Sequence, residues 1–374
     1  MSKKALWIEA IVFLAFIFAF FILNTAQPDR EFSEQENRSL QQRPPFSFDE
    51  LFSGQYTKDF EAYTTDQFTL RDEWITLKAA SELALGKRQN NGMFLCDGGT
   101  IIEPYEAPED GKLEANMEAL NKLVANTDAD VYFALIPGKS DIWAHMLPQN
   151  APRDSEKAAI DYCYSLSDAV NVDIYGKLEE HSGEYIYYRT DHHWTTLGAY
   201  YGFSALAESM GLDCPDISEY SGRETVSEEF YGTSWSSSGF SWVEPDSMEI
   251  FVTEPEGLEI TNYPQGSPVE GQLYDWSRLE VKDKYSFFYG GNTPLLEIET
   301  GVEDAPSLLI LRDSYMDSLS PFLLASYSRI HILDLRYYRA SLSDYIAQNG
   351  FDDVLVCYSI DNFSTDSNIF LLGR

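Results

Sequence analysis

Two of the five histidines in this sequence stand side by side, and an aspartate precedes them. Asp191, His192 and His193 are followed by Trp194. In an extended chain alternate side chains point to the same side, so Asp191 and His193 face one way and His192 faces the other. A carboxylate that holds an imidazole in one tautomer leaves its second nitrogen free to act as a base. The spacing therefore predicts a general base, His193, with its orienting acid, Asp191.

A candidate nucleophile, Ser314, lies far along the chain. The apolar run at residues 308–311 predicts a strand, and a helix is predicted at residues 315–327, immediately after the serine. Sites in parallel sheets lie at the carboxyl ends of strands, and the free N–H groups of a helix start can stabilise an oxyanion. Serine becomes a good nucleophile only beside a base. We therefore predict a triad of Ser314, His193 and Asp191.

Other interpretations of these residues remain open. A serine at a helix start is often only an N-cap. Asp191, His192 and His193 are also residue types that bind metal ions, although no third histidine or cysteine accompanies them. The aspartate and histidine could also be purely structural. A metal site is not the favoured interpretation, and the sequence predicts no cofactor.

Helical and strand patterns alternate around these residues and predict an α/β fold. Strand–helix–strand repeats with crossovers of helix length indicate a parallel sheet with helices on both faces. A short strand is expected at residues 185–188, before Asp191. Residues 212–300 break the alternation and are predicted as an irregular insertion that contains β-structure. The predicted helices lie at 113–125, 155–170, 196–210 and 341–348, and the remaining strands at 129–136, 330–335 and 354–357.

The amino-terminal segment predicts export. Residues 5–23 are apolar except for Glu9, and a helix of this length nearly crosses a hydrocarbon core of about 30 Å. Lys3 and Lys4 precede the segment and direct the rest of the chain outward. We therefore expect a single-pass membrane helix with an extracytoplasmic carboxyl-terminal domain. The apolar run is longer than that of most cleaved signals, which favours an uncleaved anchor over cleavage near residues 24–26.

Composition and patterning give the expected domain organisation. An anchor or signal segment covers residues 1–26, a polar linker covers residues 27–50, and one large domain covers residues 51–374 with the insertion at about 212–300. The net charge of −35 excludes nucleic acid as a partner, because phosphate binding needs a basic surface. The four cysteines form no CxxC pair, which argues against a structural zinc site.

The segment at residues 191–194 resembles the signature of the DHHW proteins. These are similar to the alginate O-acetylation proteins of the SGNH (GDSL-like) hydrolase superfamily. Most SGNH proteins have Gly-Asp-Ser at the nucleophile, whereas this chain has Arg312, Asp313 and Ser314. The other segments that resemble the family, in the family's order, are residues 32–38, 59–71, 288–292, 310–327 and 334–338.

The resemblance implies an SGNH-hydrolase-like sheet and specific roles. It makes Asp191 the orienting acid, His193 the base and Ser314 the nucleophile. Arg336 and Tyr337 lie just beyond a predicted strand end and could line the substrate pocket, and a surface salt bridge is an equal alternative for them. The residues expected to stabilise the oxyanion or to contact the substrate are Gly291, Asn292, Arg336, Tyr337 and Trp194.

The resemblance also implies a function outside the cytosol. We expect a serine-dependent O-acyltransferase or esterase that moves an acetyl group to or from a cell-surface or exported polysaccharide. Because acetyl-CoA is cytosolic, a membrane-bound protein that passes the acyl group is an expected partner. The alternative is a non-catalytic glycan-binding or scaffold protein in a complex that modifies polysaccharide.

Overall fold

A computed structural model of the protein describes residues 3–109 and 111–374. The chain begins with the helix α1, Lys3–Ala26, which contains the apolar run that the sequence marks out. α1 is long and apolar enough to cross a membrane, and its length and composition also fit a signal sequence. Its side chains are exposed along nearly the whole helix.

The first compact unit of the chain extends to Asn90 and includes Ser236–Ser241. Ion pairs hold its hairpin against its helices: Arg38 bonds to Asp66 at 2.6 and 2.9 Å, and Arg71 pairs with Glu36. Part of the segment at residues 27–50, which was expected to be a polar linker, is therefore folded. The domain boundaries expected from the sequence remain predictions. After α1 the elements of this unit are β1 (Phe32–Ser33), β2 (Arg38–Ser39), α2 (Phe48–Ser53), α3 (Gln55–Asp66), α4 (Arg71–Ala84) and β3 (Gln89–Asn90).

The second compact unit comprises Asn91–Trp235 and Trp242–Arg374. Its strands are β4 (Met93–Leu95), β5 (Ile101–Ile102), β6 (Asp130–Ile136), β7 (Val170–Val172), β8 (Glu224–Phe230), β9 (Asp246–Ile250), β10 (Glu259–Asn262), β11 (Val269–Glu270), β12 (Leu295–Glu299), β13 (Ser307–Arg312), β14 (Arg329–Leu333) and β15 (Asp353–Ser359). Its helices are α5 (Lys112–Ala125), α6 (Lys139–Ile142), α7 (Glu156–Leu166), α8 (Ile174–Glu180), α9 (Thr196–Met210), α10 (Thr233–Ser238, which ends in the first unit), α11 (Met316–Leu319), α12 (Leu342–Asn349) and α13 (Ile360–Thr365).

One eight-stranded sheet organises the second unit, in the order β11-β10-β12-β14-β13-β15-β6-β7. The five strands from β14 to β7 are parallel, as the alternation of helices and strands predicts. β13 lies among these parallel strands, and Leu308 to Leu311 are completely buried because both faces of the sheet are covered. The carboxyl ends of β13, β15 and β6 therefore lie together at one edge.

The predicted insertion contributes to this sheet. Its strands β10, β11 and β12 add to the edge of the sheet beside β14, in antiparallel orientation. Strands β8 and β9 form a separate antiparallel pair. The insertion is therefore part of the sheet's architecture, which the hydrophobic pattern alone does not reveal.

Three predicted elements differ from the structure. The helix predicted at residues 315–327 consists only of α11 and a 3-10 turn, Ser320–Leu323. Pro321 has no N–H and cannot continue α-helical bonding. The strand predicted at residues 185–188 makes only an isolated bridge between Tyr187 and Trp194. The helix predicted at residues 155–170 ends early as α7, and the chain then forms β7.

Candidate active site

Ser314 lies in the turn that follows β13. The carboxylate of Asp313 fixes this turn, because it accepts hydrogen bonds from the backbone N and the hydroxyl of Ser359, each at 2.8 Å, and from Asn362 Nδ2 at 2.7 Å. Ser359 ends the neighbouring strand β15. Asp313 therefore ties two strand ends together directly beside Ser314. Arg312 stands where most SGNH proteins have the glycine of Gly-Asp-Ser. This position lies within β13, and an extended backbone suits any residue.

The side chain of His193 lies between Ser314 and Asp191. The Ser314 hydroxyl donates to His193 Nε2 at 2.7 Å, and His193 Nδ1–H donates to Asp191 Oδ1 at 2.5 Å. The backbone N–H of His193 donates to the same carboxylate oxygen at 2.9 Å. All three residues are buried. The structure thus brings the three residues that the sequence singles out into one continuous line of hydrogen bonds.

Asp191 receives two further hydrogen bonds, both from Thr233. Its Oδ2 accepts from the Thr233 backbone N–H at 2.7 Å and from the Thr233 hydroxyl at 3.0 Å. Burial alone would raise the pKa of Asp191, but the neighbouring imidazoles of His192 and His193 hold it well below its usual range. The carboxylate is therefore charged and can stabilise a proton on His193.

His192 was expected to point away from Asp191, but its Nδ1 lies 3.8 Å from Asp191 Oδ1 and its ring lies 3.9 Å, between centroids, from that of His193. The single proton of the Thr233 hydroxyl goes to Asp191, so His192 Nδ1–H donates to the Thr233 oxygen, at 2.6 Å. The His192 side chain is about two-fifths exposed. His192 therefore supports Thr233 and does not contact Ser314.

Gly232 leaves the space that Asp191 occupies. A Cβ atom at position 232 would lie 2.2 Å from both the Cβ and the Oδ2 of Asp191. Real Cβ atoms do not approach other atoms this closely, and the carboxylate has no free direction in which to move. The absence of a side chain at Gly232 is therefore a condition of the site.

A tyrosine ring from the insertion covers the imidazole. The Tyr285 ring stacks on His193 with 3.8 Å between centroids and an interplanar angle of 8°. Its hydroxyl donates to the Ser314 carbonyl at 3.3 Å and shares a hydrogen bond with Ser318 Oγ at 3.1 Å. Tyr285 therefore contacts both the imidazole, through its ring, and the turn that carries Ser314, through its hydroxyl. These contacts fix the position of the imidazole relative to that turn.

A buried lysine and a buried aspartate fix the segment that leads to Asp191. Lys139 Nζ donates to the carbonyls of Ile101 and Tyr188, at 2.6 and 3.0 Å. Burial lowers the pKa of Lys139 to about 8, while Asp191 and Asp246 oppose the shift.

The Asp246 carboxylate accepts from the Thr190 N–H at 2.7 Å, from the Thr190 hydroxyl at 2.6 Å and from Arg189 Nε at 3.1 Å. Together the Lys139 and Asp246 side chains therefore bind the backbone on both sides of Arg189, directly before Asp191.

The two residues expected at an oxyanion site lie beside Arg312. Asn292 is exposed, and its Oδ1 accepts from Arg312 Nη1 at 2.7 Å. The buried Arg312 also pairs with Asp317 at 2.9 Å. Gly291 has a φ of +105°, which favours glycine. Because Arg312 occupies the oxygen of the Asn292 amide, the NH2 end of that amide is left for other partners.

Three further residues were expected to contact the substrate. Tyr337 is 50% exposed, and Arg336 is half-buried with its guanidinium on Asp334 at 2.7 Å. The sequence left a surface salt bridge open for Arg336, whereas in this pair the Asp334 side chain is buried. Trp194 differs from the expectation, because it is fully buried and its indole N–H donates to the Tyr315 carbonyl at 3.0 Å. Its ring therefore offers no surface to a substrate.

The aspartate and the two histidines could also be considered as metal ligands. One ligand atom from each of Asp191, His192 and His193 lies within 4.8 Å of the others. Hydrogen bonds already engage His193 Nε2 with Ser314 and both carboxylate oxygens with His193 and Thr233. The arrangement therefore fits a proton relay better than a set of ligands.

Sequence reasoning missed several residues of the site. Lys139 lies three residues after the end of the predicted strand at residues 129–136, so its place near the carboxyl edge of the sheet could have identified it. Gly232, Thr233 and Tyr285 lie in the insertion, where no periodicity relates them to Asp191. Their contacts depend on tertiary structure alone.

Comparison with known protein families gives one match. The family model described as DHHW protein matches residues 114–333, which is more than half of the chain. The matched region contains Asp191, His193 and Ser314. No curated protein sequence matches the chain significantly.

Several solved structures resemble the chain. A DHHW family protein from Eubacterium siraeum DSM 15702 is 26% identical, with a TM-score of 0.66 over 76% of this chain and 95% of that one. Bacillus cereus PatB1 with a sulfonyl adduct is 20% identical, with a TM-score of 0.64 over 75% and 98% of the two chains. The O-acetyltransferase domain of Pseudomonas putida AlgJ is 14% identical, with a TM-score of 0.46 over 74% and 93%. The first two likenesses agree with the SGNH-like α/β fold expected from the sequence.

The fit of Gly232 against Asp191 can be tested by adding one methyl group. Gly232→Ala should displace the Asp191 carboxylate and break its short hydrogen bond with His193 Nδ1–H, because the new Cβ overlaps Asp191. One-dimensional proton NMR of the full chain should then lose a resonance far downfield of the amide region. Gly183→Ala is the matched control, since a Cβ there meets no atom within 4 Å. An unchanged downfield resonance in Gly232→Ala would contradict the described packing.

Proposed function

This chain belongs to the DHHW protein family, and we propose that it is a serine-dependent O-acyltransferase or esterase that works outside the cytosol. The acyl group is acetyl, and the acceptor or substrate is a cell-surface or exported polysaccharide. The observation that carries the proposal is the line of hydrogen bonds from Ser314 through His193 to Asp191. The similarity of the sequence to the alginate O-acetylation proteins supports the choice of acetyl and polysaccharide.

In the proposed reaction Ser314 Oγ attacks the carbonyl carbon of an acetyl donor. His193 Nε2 takes the hydroxyl proton as the new C–O bond forms. The tetrahedral intermediate then collapses, and His193 returns the proton to the leaving oxygen of the donor. The acetyl group remains on Ser314 as an ester. Asp191 keeps His193 in the required tautomer and stabilises the imidazolium through the 2.5 Å hydrogen bond.

The second half of the reaction regenerates the serine. A hydroxyl of the sugar, or water, gives its proton to His193 and attacks the acetyl carbonyl. Ser314 leaves as the alcohol after it receives that proton. Transfer and hydrolysis differ only in which of the two nucleophiles reaches the acyl-enzyme.

The oxyanion of both intermediates needs hydrogen-bond donors. We assign this role to the NH2 group of Asn292, with Gly291 providing the turn that presents it. The bond from Arg312 to Asn292 Oδ1 supports the assignment, because it occupies the acceptor end of the amide and leaves the NH2 donor for another partner. The exposed ring of Tyr337 and the guanidinium of Arg336 are proposed to border the sugar site.

The location belongs to the same proposal. α1 acts as an uncleaved single-pass anchor, with the remaining chain on the extracytoplasmic side. An external acetyl transferase needs an acyl group that has crossed the membrane, so a membrane-bound protein that passes it is the expected partner. Anchoring keeps Ser314 on the membrane where that donor arises.

Removal of the nucleophile tests the proposal directly. The full chain in detergent should hydrolyse an activated acetyl ester, and Ser314→Ala should lower kcat by about 10⁴-fold or more. Asp191→Asn should lower kcat by roughly 10⁴-fold, because it favours the wrong imidazole tautomer. Acetate release and transfer to added oligosaccharide are measured together, which separates an esterase from a transferase.

Ser326→Ala removes a half-buried serine twelve positions further along the chain. It is the matched control and should keep the parent rate. Hydrolysis that survives Ser314→Ala at the parent rate would overturn the assignment. A folded parent chain that neither hydrolyses acetyl esters nor acetylates sugars would instead favour a glycan-binding or scaffold protein.

Tyr285 should act as a positioning residue for His193. Tyr285→Leu removes the stacked ring, and kcat should fall roughly tenfold at unchanged KM, since a desolvated cation–π contact is worth about 1–2 kcal/mol. Tyr285→Phe keeps the ring and loses only the hydroxyl bonds to Ser314 and Ser318. It should remain closer to the parent in kcat.

The rate at which a sulfonyl fluoride modifies Ser314 provides a second measurement. Sulfonylating reagents react with activated serines, and PatB1 has been solved with a sulfonyl adduct. The modification rate should follow the order of parent, Phe variant and Leu variant. Equal rates in the Phe and Leu variants would show that the ring itself contributes nothing.

A further inference from the structure

The outer end of α1 is bound to the corner between α3 and α4. The Phe20 ring stacks on Phe68 with 5.9 Å between centroids and lies 5.8 Å from Trp74. Asn24 Oδ1 accepts from the Thr69 N–H at 2.7 Å and from the Thr69 hydroxyl at 2.5 Å. These apolar and polar contacts together fix the corner against the last turns of α1.

The position of Phe20 along α1 sets the depth of this corner. The apolar run at residues 5–23 is centred on Leu14, and Phe20 lies about 9 Å beyond that centre at 1.5 Å per residue. The half-thickness of a hydrocarbon core is about 15 Å. When α1 crosses a bilayer, Phe68 and Trp74 are therefore at the level of the lipid acyl chains, below the headgroups.

The exposed side chains of the corner suit such a position. Trp74 and Leu77 lie on one face of α4, and Leu70 immediately precedes this helix. Leu70 and Leu77 are 52% and 53% exposed. Leu70 has a φ of +58°, a conformation that is uncommon for residues other than glycine. We call Phe68, Leu70, Trp74 and Leu77 the corner surface.

A groove opens beside the corner surface, and its volume is about 640 Å³. Phe68, Trp74 and Ile75 form its apolar wall, and the polar side chains of Asn24, Thr64, Thr65, Arg71 and Lys78 complete the lining. The charge of this part of the chain also permits approach to a membrane. Residues 27–90 contain eight lysines and arginines against twelve aspartates and glutamates, whereas the whole chain carries a net charge of −35.

We propose that the corner surface is immersed in the extracytoplasmic leaflet, with lipid acyl chains occupying the groove. The inference rests on the part of the proposed function that keeps α1 as an uncleaved anchor. The first unit then contacts the membrane at two places, through α1 and through the corner surface. Two contacts restrict the rotation of α1 about its axis, which a single spanning helix does not.

The test uses the full chain in lipid nanodiscs and lipids with brominated acyl chains, which quench tryptophan fluorescence on contact. Leu77→Trp adds a tryptophan to the corner surface. Brominated lipid should remove most of the emission that this tryptophan adds to the parent chain. Glu34→Trp, in the exposed hairpin turn of the same unit, is the control and should keep its added emission.

Three results would overturn the inference. The emission added by Leu77→Trp could be untouched by brominated lipid, or Glu34→Trp could be quenched to the same extent. The added tryptophan could also be shielded from both lipid and aqueous iodide in a chain that cross-links to a second copy, which would make the corner surface a protein interface. None of these measurements depends on acyl transfer, so they separate failure of this inference from failure of the proposed enzyme activity.

Discussion

A buried carboxylate, Asp191, imposes the constraint on which the site depends. An ionised group without water must be satisfied by hydrogen bonds or opposite charge. Asp191 accepts from the N–H and Nδ1–H of His193 and from the N–H and hydroxyl of Thr233. The approach of Thr233 in turn requires Gly232 to lack a side chain. The orientation of the base is therefore a consequence of satisfying its neighbouring acid.

The sheet supplies the second half of the arrangement. Ser314 follows β13, Ser359 ends β15, and Lys139 follows β6 at the same edge. Asp313 joins the first two strand ends, while Lys139 binds the carbonyls that precede Asp191. Two segments that are remote in sequence are thus held at hydrogen-bonding distance with the help of the Asp313 and Lys139 side chains, which bind backbone groups of neighbouring segments. Tyr285 closes the arrangement with its ring on the imidazole.

The sequence alone predicts the parts of the site that follow local rules. The Asp-x-His spacing predicts that the side chains of Asp191 and His193 point to the same side of the chain. The apolar strand before Ser314 predicts that this serine lies at the carboxyl edge of the sheet. The bonds from Thr233 and Asp246 could not be predicted, because they cross between segments without a common pattern. Antiparallel addition of β10, β11 and β12 depends on register, which the irregular composition of the insertion does not specify. The short helix after Ser314 could have been foreseen from Pro321.

The proposed reaction requires Ser314 to become acylated during turnover, and peptide mapping of a quenched reaction detects this directly. The full chain is mixed with an activated acetyl ester, stopped within the first turnover and digested, and the acetylated peptide is identified by mass. We expect acetyl on the peptide containing Ser314, at higher occupancy in early samples than after the ester is exhausted. Turnover with no acetyl on Ser314 at any time, or with acetyl on a different serine, would contradict the claim.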